Sequence, residues 1–241
     1  MRPPPTTSPQ PFRFLPLGDA ALTVEFGDGI DPAVNDKVIS FATLLRTQEW
    51  AGVRDIVPTY RSVTIHVDPH CLDVNRLSDR LLELGRSTAR HPAPPGTQHT
   101  IPVLYGGESG PDLEDVASFG HLSVAEAIRL HSSLTYRVYM LGFSPGFPYL
   151  GAVPAPIAMP RLATPRLTVP AGSVAIAGRQ TGIYPTATPG GWRLIGRTPV
   201  PLYRPTKAPP FLLSPGDLVR FEPITREEFG RRQRDCDADA H

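Results

Sequence analysis

Apolar and polar positions alternate over Ala21–Phe26, which predicts a β-strand, and Asp31 before Pro32 marks a helix start: a capping carboxylate, then proline in the first turn. Val34, Val38, Phe41 and Leu45 follow at helical spacing. Two β-branched runs, Val53–Val57 and Ser62–Val67, flank Pro58-Thr59-Tyr60-Arg61 and predict a hairpin. Val74, Leu77, Leu81 and Leu84 share one face of a second helix, with Gly85 as its expected stop. Thr100–Tyr105 is the next strand. The resulting order, β-α-β-β-α-β, is the split arrangement called ferredoxin-like, here expected over residues 12–95.

His91-Pro92-Ala93-Pro94-Pro95-Gly96 reads as a linker. Beyond it the pattern changes. Asp112–Ala117 and Ser123–Ser132 predict short helices, the second opened by a Ser123/Glu126 capping box, and Tyr136–Leu141 predicts a strand. Short apolar runs cut by Pro and Gly follow: Leu167–Val169, Val174–Ala177, Trp192–Ile195, Pro199–Tyr203 and Leu218–Phe221. Many short strands between turns predict a small β-barrel over residues 96–224. Residues 1–11 are expected to be a disordered leader, and residues 225–241 a charged tail that frays. The fold class is therefore α+β.

Composition narrows the function. Thirty prolines in 241 residues exclude an all-helical chain, because a ring without an N–H breaks helices and central strands. Lys+Arg 24 against Asp+Glu 23 leaves a net charge of +1 and no basic field for a nucleic acid. No apolar run approaches the roughly 18–20 residues of a membrane span. Cys71 and Cys236 stand far apart in sequence, which forms no disulfide framework and fits the cytoplasm. Lys37 and Lys207 are the only lysines, and neither follows a glycine, so the chain lacks the Gly-Lys-Ser/Thr of a P-loop.

Several residues invite chemistry. Gly142-Phe143-Ser144-Pro145-Gly146 matches the G-x-S-x-G nucleophile elbow, but Pro145 has no N–H to offer an oxyanion, and the following Gly146-Phe147-Pro148 cannot open a helix. The segment reads instead as a rigid aromatic loop carrying Phe143, Phe147 and Tyr149, either a packed corner or a recognition surface. His66, His70 and Cys71 lie close together, yet Pro69 interrupts them and no second ligand pair with zinc spacing follows, so no metal site is expected. His131 on the second short helix is either a hydrogen-bonded edge of core or a ligand contact. Arg161, Arg166 and Arg179, with Arg193 and Arg197, are either solvated cations or a cluster that grips a small acidic substrate bidentately. Gln180-Thr181-Gly182-Ile183-Tyr184 and Thr188-Pro189-Gly190-Gly191-Trp192 form the most pocket-like stretch, with core turns as the alternative.

Tyr136–Phe143, Pro145–Gly151, Pro160-Arg161, Pro165-Arg166, Val169–Val174, Ile176-Ala177-Gly178, Gln180–Pro185 and Thr188–Trp192 together strongly resemble the KipI/PxpB family, over roughly residues 12–222. The resemblance implies a ferredoxin-like domain followed by a cyclophilin-like barrel. It further implies a KipA/PxpC-type partner subunit, the pair being similar to the carboxyltransferase part of urea carboxylase. With a third subunit of the LamB/YcsF (PxpA) type, such proteins form an ATP-dependent 5-oxoprolinase that opens 5-oxo-L-proline to L-glutamate. ATP would be used by the complex, and this chain would be inactive alone. Two other roles fit the resemblance, a KipI-like inhibitor of a histidine kinase and a carboxyltransferase subunit acting on urea or another amide. Under the first role, Arg161, Arg166 or Arg179 would stabilise an anion from a phosphorylated lactam oxygen. Phe147, Tyr184 and Trp192 would wall the pocket, and Phe143, Pro145, Gly146 and Tyr149 would face a partner.

Overall fold

The computed structural model describes residues 12–48, 50–72, 74–88 and 91–238, apart from the side chains of residues 74–76, 87 and 237. The expected leader, residues 1–11, and the chain end, residues 239–241, lie outside the described residues. Contacts divide the chain into two units that meet between Pro95 and Gly96.

In the first unit the strands β1 (Arg13–Leu17), β2 (Ala21–Glu25), β3 (Val53–Pro58) and β4 (Ser62–Val67) form one antiparallel sheet in the order β1-β2-β4-β3. Helices α1 (Pro32–Arg46) and α2 (Val74–Ser87) cover it. The Asp31 carboxylate caps α1, accepting from the Ala33 and Val34 N–H groups at 2.7 and 3.1 Å. The helical stripe is the buried one. Val38, Phe41, Leu45, Leu77 and Leu81 pack on Leu22, Val24, Val63 and Ile65.

Two expectations fail here for identifiable reasons. The strand beside β2 is β1, which precedes it in sequence, whereas the expected strand at 100–105 belongs to the second unit. Strand β1 escapes a periodicity reading because it is a largely exposed edge that carries Pro16, and edges tolerate proline. Gly85 does not stop α2 but lies inside it. A Cβ there would stand 2.5 Å from Phe12 Cζ, so this glycine admits an aromatic ring against the helix.

In the second unit, β5 (Gln98–Tyr105), α3 (Leu113–Phe119), α4 (Val124–Ser132), β6 (Thr135–Leu141) and β7 (Pro148–Gly151) come first. Then follow β8 (Arg166–Val169), β9 (Ser173–Ala177), β10 (Gln180–Ile183), β11 (Thr188–Gly190), β12 (Arg193–Arg197), β13 (Leu218–Pro223) and α5 (Arg226–Ala238). Seven strands close a barrel in the order β10-β7-β6-β13-β5-β12-β9, and β8 with β11 makes a separate ribbon. Only the β13–β5 seam is parallel among these pairs. Asp217, just before β13, secures it by accepting from the Thr97 and Ser214 N–H groups at 2.9 and 2.8 Å. The barrel core is aliphatic, with Ile101, Val138, Leu150, Val174, Ile176 and Val219 all at most 2% exposed. The expected capping box of α4 is present, both Ser123 and Glu126 reaching back to the other's backbone N–H.

The run Pro199–Tyr203 is not a strand, since Pro199 and Pro201 can donate to no ladder; a single bridge, Tyr203 to Phe211, holds that loop. The charged tail does not fray over its described part. Thr225 Oγ1 accepts from the Glu228 N–H at 3.2 Å, and Glu228 pairs with Arg232 one turn on at 2.6 Å, so residues 226–238 form α5. No helix among the described residues is long and apolar enough to cross a membrane.

Gly85→Ala tests the packing account. An alanine gains about 1 kcal/mol of helix propensity, but displacing the buried Phe12 ring costs about 1–3 kcal/mol. Urea denaturation is expected to show no stabilisation, whereas Gly85→Ala combined with Phe12→Leu recovers the propensity gain.

Candidate functional site

Most of the aromatic residues singled out in sequence gather in one buried cluster, separate from the aliphatic barrel core. The β6–β7 connection is tight: the Gly142 N–H donates to Phe147 O and the Phe147 N–H to Ser144 O, both at 3.0 Å. This geometry folds Phe147 inward, where its ring meets Tyr149, Tyr184 and Trp192 edge-on at centroid distances of 5.0, 5.1 and 5.4 Å. Edge-to-face packing suits the quadrupoles of such rings. Phe147 and Tyr184 are 1% exposed, Trp192 is 9% exposed, and Val169, Ala175 and Leu194 complete the cluster. Phe143 stays outside at 62% exposure, with a positive φ of 65° that is rare for a bulky residue. The loop is thus a packed corner inside and an apolar tip outside.

Gly190 is required by this packing. A Cβ there would meet the Tyr184 hydroxyl and stand 2.8 Å from Tyr184 Cζ. Gly191 is not: its nearest neighbour would be Pro165 Cγ at 3.6 Å, an ordinary contact. Gln180 begins β10, half-buried and opposite Gly151 of β7.

Two of the expected arginines converge on the cluster. Burial pushes the Tyr184 phenol pKa up, against a backbone hydrogen bond at Trp192 and the charges of Arg166 and Arg161, which pull it down. Burial likewise raises Tyr149, again opposed by Arg161. Arg161 is exposed, whereas Arg166 donates from Nη2 to Asp112 Oδ1 at 2.7 Å, and its Nη1 is buried without a hydrogen-bond partner among the described residues. Arg179 sits exposed on the turn between β9 and β10. Arg193 turns to Asp115 at 3.5 Å, and Arg197 donates to Ala171 O at 2.8 Å.

Asp112 is the residue that sequence reasoning missed. It precedes α3, where an aspartate reads as a helix cap, but its side chain makes no capping bond. At 4% exposure it accepts instead from the Leu194 N–H at 2.6 Å and from Arg166, tying β12 to the β8 ribbon. The only sequence signal was an ordinary cap, so nothing distinguished it.

His131 is part of the core and not a ligand contact. It is 1% exposed, stacks on Phe221 at 4.5 Å, and has both ring nitrogens engaged. The Thr181 hydroxyl donates its one proton to Ala175 O at 3.0 Å, so it accepts from His131 Nε2–H at 2.9 Å. That assigns the tautomer: Nδ1 accepts from the Tyr105 hydroxyl at 2.8 Å. Burial pushes the Tyr105 phenol well up, which keeps the proton it donates, and pulls His131 down to about 3.

Ser144 is no nucleophile in this setting. Its Oγ is buried without a hydrogen-bond partner among the described residues, Pro145 follows it, and the chain continues into β7 and not into a helix. Among the described residues, no group of three or more His, Cys, Asp or Glu could hold a metal ion. The corner therefore combines a buried aromatic cluster with one guanidinium fixed by Asp112 and one exposed guanidinium.

Comparison with known proteins agrees with this architecture. The carboxyltransferase domain family, subdomain C and D, matches residues 12–213. The 5-oxoprolinase B subunit of Bacillus subtilis is 42% identical over 232 residues, covering 90% of this chain and 95% of that protein. Among solved structures, TTHA0988 superposes with a TM-score of 0.76 at 40% identity, over 85% of this chain and 40% of that one. The urea carboxylase of Kluyveromyces lactis superposes with a TM-score of 0.76 over 95% of this chain and 23% of its own length; at 19% identity it shares the fold. The chain belongs to the KipI/PxpB family of carboxyltransferase-domain proteins, whose relatives are named as the B subunit of 5-oxoprolinase.

Two outcomes check the site. His131 is a base whose folded pKa is depressed, so the unfolded chain protonates first as the pH falls. Its contribution to stability is complete above about pH 6.5 and is lost on descending toward pH 3, by about 1.4 kcal/mol per pH unit. Chemical denaturation at pH 7, 6 and 5 is expected to show that extra slope in the native chain and not in His131→Gln. Separately, Arg166→Gln leaves the Asp112 carboxylate buried without its cation. A loss of about 2–3 kcal/mol is expected by thermal denaturation, below the full value for a buried pair because the Arg166 side chain is 29% exposed.

Proposed function

We propose that this chain is the B subunit of an ATP-dependent 5-oxoprolinase, which converts 5-oxo-L-proline to L-glutamate only when assembled. The observation that carries the reading is the 42% identity to the Bacillus subtilis protein of that name across 95% of its length. A shared fold alone would not transfer a function, but identity at this level over nearly the whole length supports a shared role. The site chemistry is consistent with a contributing subunit. The corner can bind and neutralise charge, yet it presents no activated nucleophile, so the reacting groups would come from partners.

On this reading the partners are a KipA/PxpC-type subunit and a LamB/YcsF (PxpA)-type subunit, and the assembly works in the cytoplasm. ATP is a substrate of the complex, and phosphorylation of the lactam oxygen would make the ring carbon open to water. On this reading Arg161 and Arg166, whose charges reach Tyr149 and Tyr184, would hold the anion so formed, and the exposed Phe143 tip would lie against a partner. A second reading, a carboxyltransferase subunit acting on urea or another amide, draws support from the carboxyltransferase family match.

The test is coupled ATP and 5-oxo-L-proline hydrolysis with this chain alone, with each partner, and with both. Glutamate is expected from the trio only, falling at least about 10-fold with Arg161→Gln, the loss of one charge-assisted contact. An assembled, folded trio that makes no glutamate would overturn the reading.

A further inference from the structure

A second concave site lies elsewhere in the barrel unit. A cavity of about 350 Å³ opens between the loop after β12 and one face of α5. Its size falls within the ~300–1,000 Å³ of small-molecule sites. The helix contributes Phe229, Gln233 and Cys236, which recur at one-turn spacing and so form a single wall. The facing loop contributes Pro199, Val200 and Pro201.

Among the described residues, charge in this cavity has one sign: Arg197, Arg204 and Lys207 line it, and no described aspartate or glutamate does. Arg197 spends its Nε on Ala171 O, but the Arg204 and Lys207 side chains form no ion pair among the described residues. In a chain whose cations and anions nearly balance, 24 against 23, three cations around one cavity without a carboxylate is a local excess. Lys207 is also one of only two lysines in the sequence.

The loop is held in shape before any ligand arrives. The Arg204 N–H donates to Pro210 O at 2.7 Å and the Leu212 N–H to Leu202 O at 2.9 Å. Tyr203 stacks on Phe211 at 5.3 Å. Prolines at 199, 201 and 205 fix further φ angles, so little entropy is left to lose on binding.

We propose that this cavity binds a small organic anion, a carboxylate or phosphate head taken by Arg204 and Lys207 on an apolar body that lies against Phe229 and the proline loop. The site is distinct from the aromatic corner and stands whether or not the chain serves a 5-oxoprolinase. Its ligand is recognised by charge-assisted hydrogen bonds at one end and by apolar contact at the other.

The test uses the full chain and three probes: phenyl phosphate, benzoate and, as the neutral control, benzyl alcohol, each titrated by calorimetry. Saturable one-to-one binding of at least one anion is expected, with benzyl alcohol at least ~10-fold weaker. The stronger anion identifies phosphate or carboxylate as the head group. Arg204→Gln/Lys207→Gln is expected to weaken that anion at least ~10-fold, and Arg129→Gln, on the exposed face of α4, to leave it unchanged. Should the double variant unfold, the single exposed Lys207→Gln carries the same comparison. Failure of both anions to saturate, equal binding of benzyl alcohol, or wild-type affinity in the charge-removed variants would each overturn the proposal. None of these readouts depends on ATP or lactam turnover.

Discussion

The barrel is organised around one imidazole. His131 arrives on α4, outside the strand order, yet its ring and carbonyl reach four staves: Tyr105 of β5, Thr181 of β10, Phe221 of β13 and, through its carbonyl, the hydroxyl of Tyr136 on β6. Those strands are not all neighbours around the barrel. A neutral ring with one donor and one acceptor can join them in the low-dielectric interior only if both nitrogens are satisfied, since an unmet polar group there costs more than the bond gains. The Thr181 hydroxyl, committed to Ala175 O, forces that arrangement. The constraint is polar, local and sensitive to protonation, and the aliphatic core around it supplies the bulk of the burial.

A second polar tie does the same work nearer the surface. Asp112 joins the start of α3 to Leu194 of β12 and to Arg166 at the head of the β8 ribbon. The ribbon is outside the barrel ladder, so this carboxylate helps fix it beside the aromatic corner. Arg166 consequently combines two functions. It neutralises a buried carboxylate, and near Tyr184 it keeps one guanidinium nitrogen without a partner among the described residues. A charge held this way is pre-oriented, which is the condition under which it can act on an anion without reorganising.

The helices and most strands were legible from periodicity because each buries one face. Helix α1 with its Asp31 cap, the hairpin of β3 and β4, and the Ser123/Glu126 box all depend on neighbours within a few residues. The elements that were missed lack that signal: β1 is an exposed edge with a proline, and β7, β10 and β11 are three or four residues long. Helix α5 is polar enough to read as a solvated tail, though Phe229 faces a cavity. At the corner, the aromatic motifs Phe143–Tyr149 and Gly190–Trp192 were visible as unusual strings. Which of their rings would be floor and which tip was not.

By itself, then, the amino-acid order determined the local pieces and the family. Capping, alternation and proline placement act within a turn or two, and long motifs such as Val169–Val174 carry their meaning in their residues. Only the tertiary structure decided what lies next to what. It moved His131 from possible ligand to core and tied Arg166 to Asp112. It also turned Gly85 from a helix stop into a seat for Phe12, and Asp112 from a cap into a strut. Each of those outcomes rests on a contact between residues distant in sequence, 54 positions apart for Asp112 and Arg166, and hydrophobic periodicity holds no information about such distances.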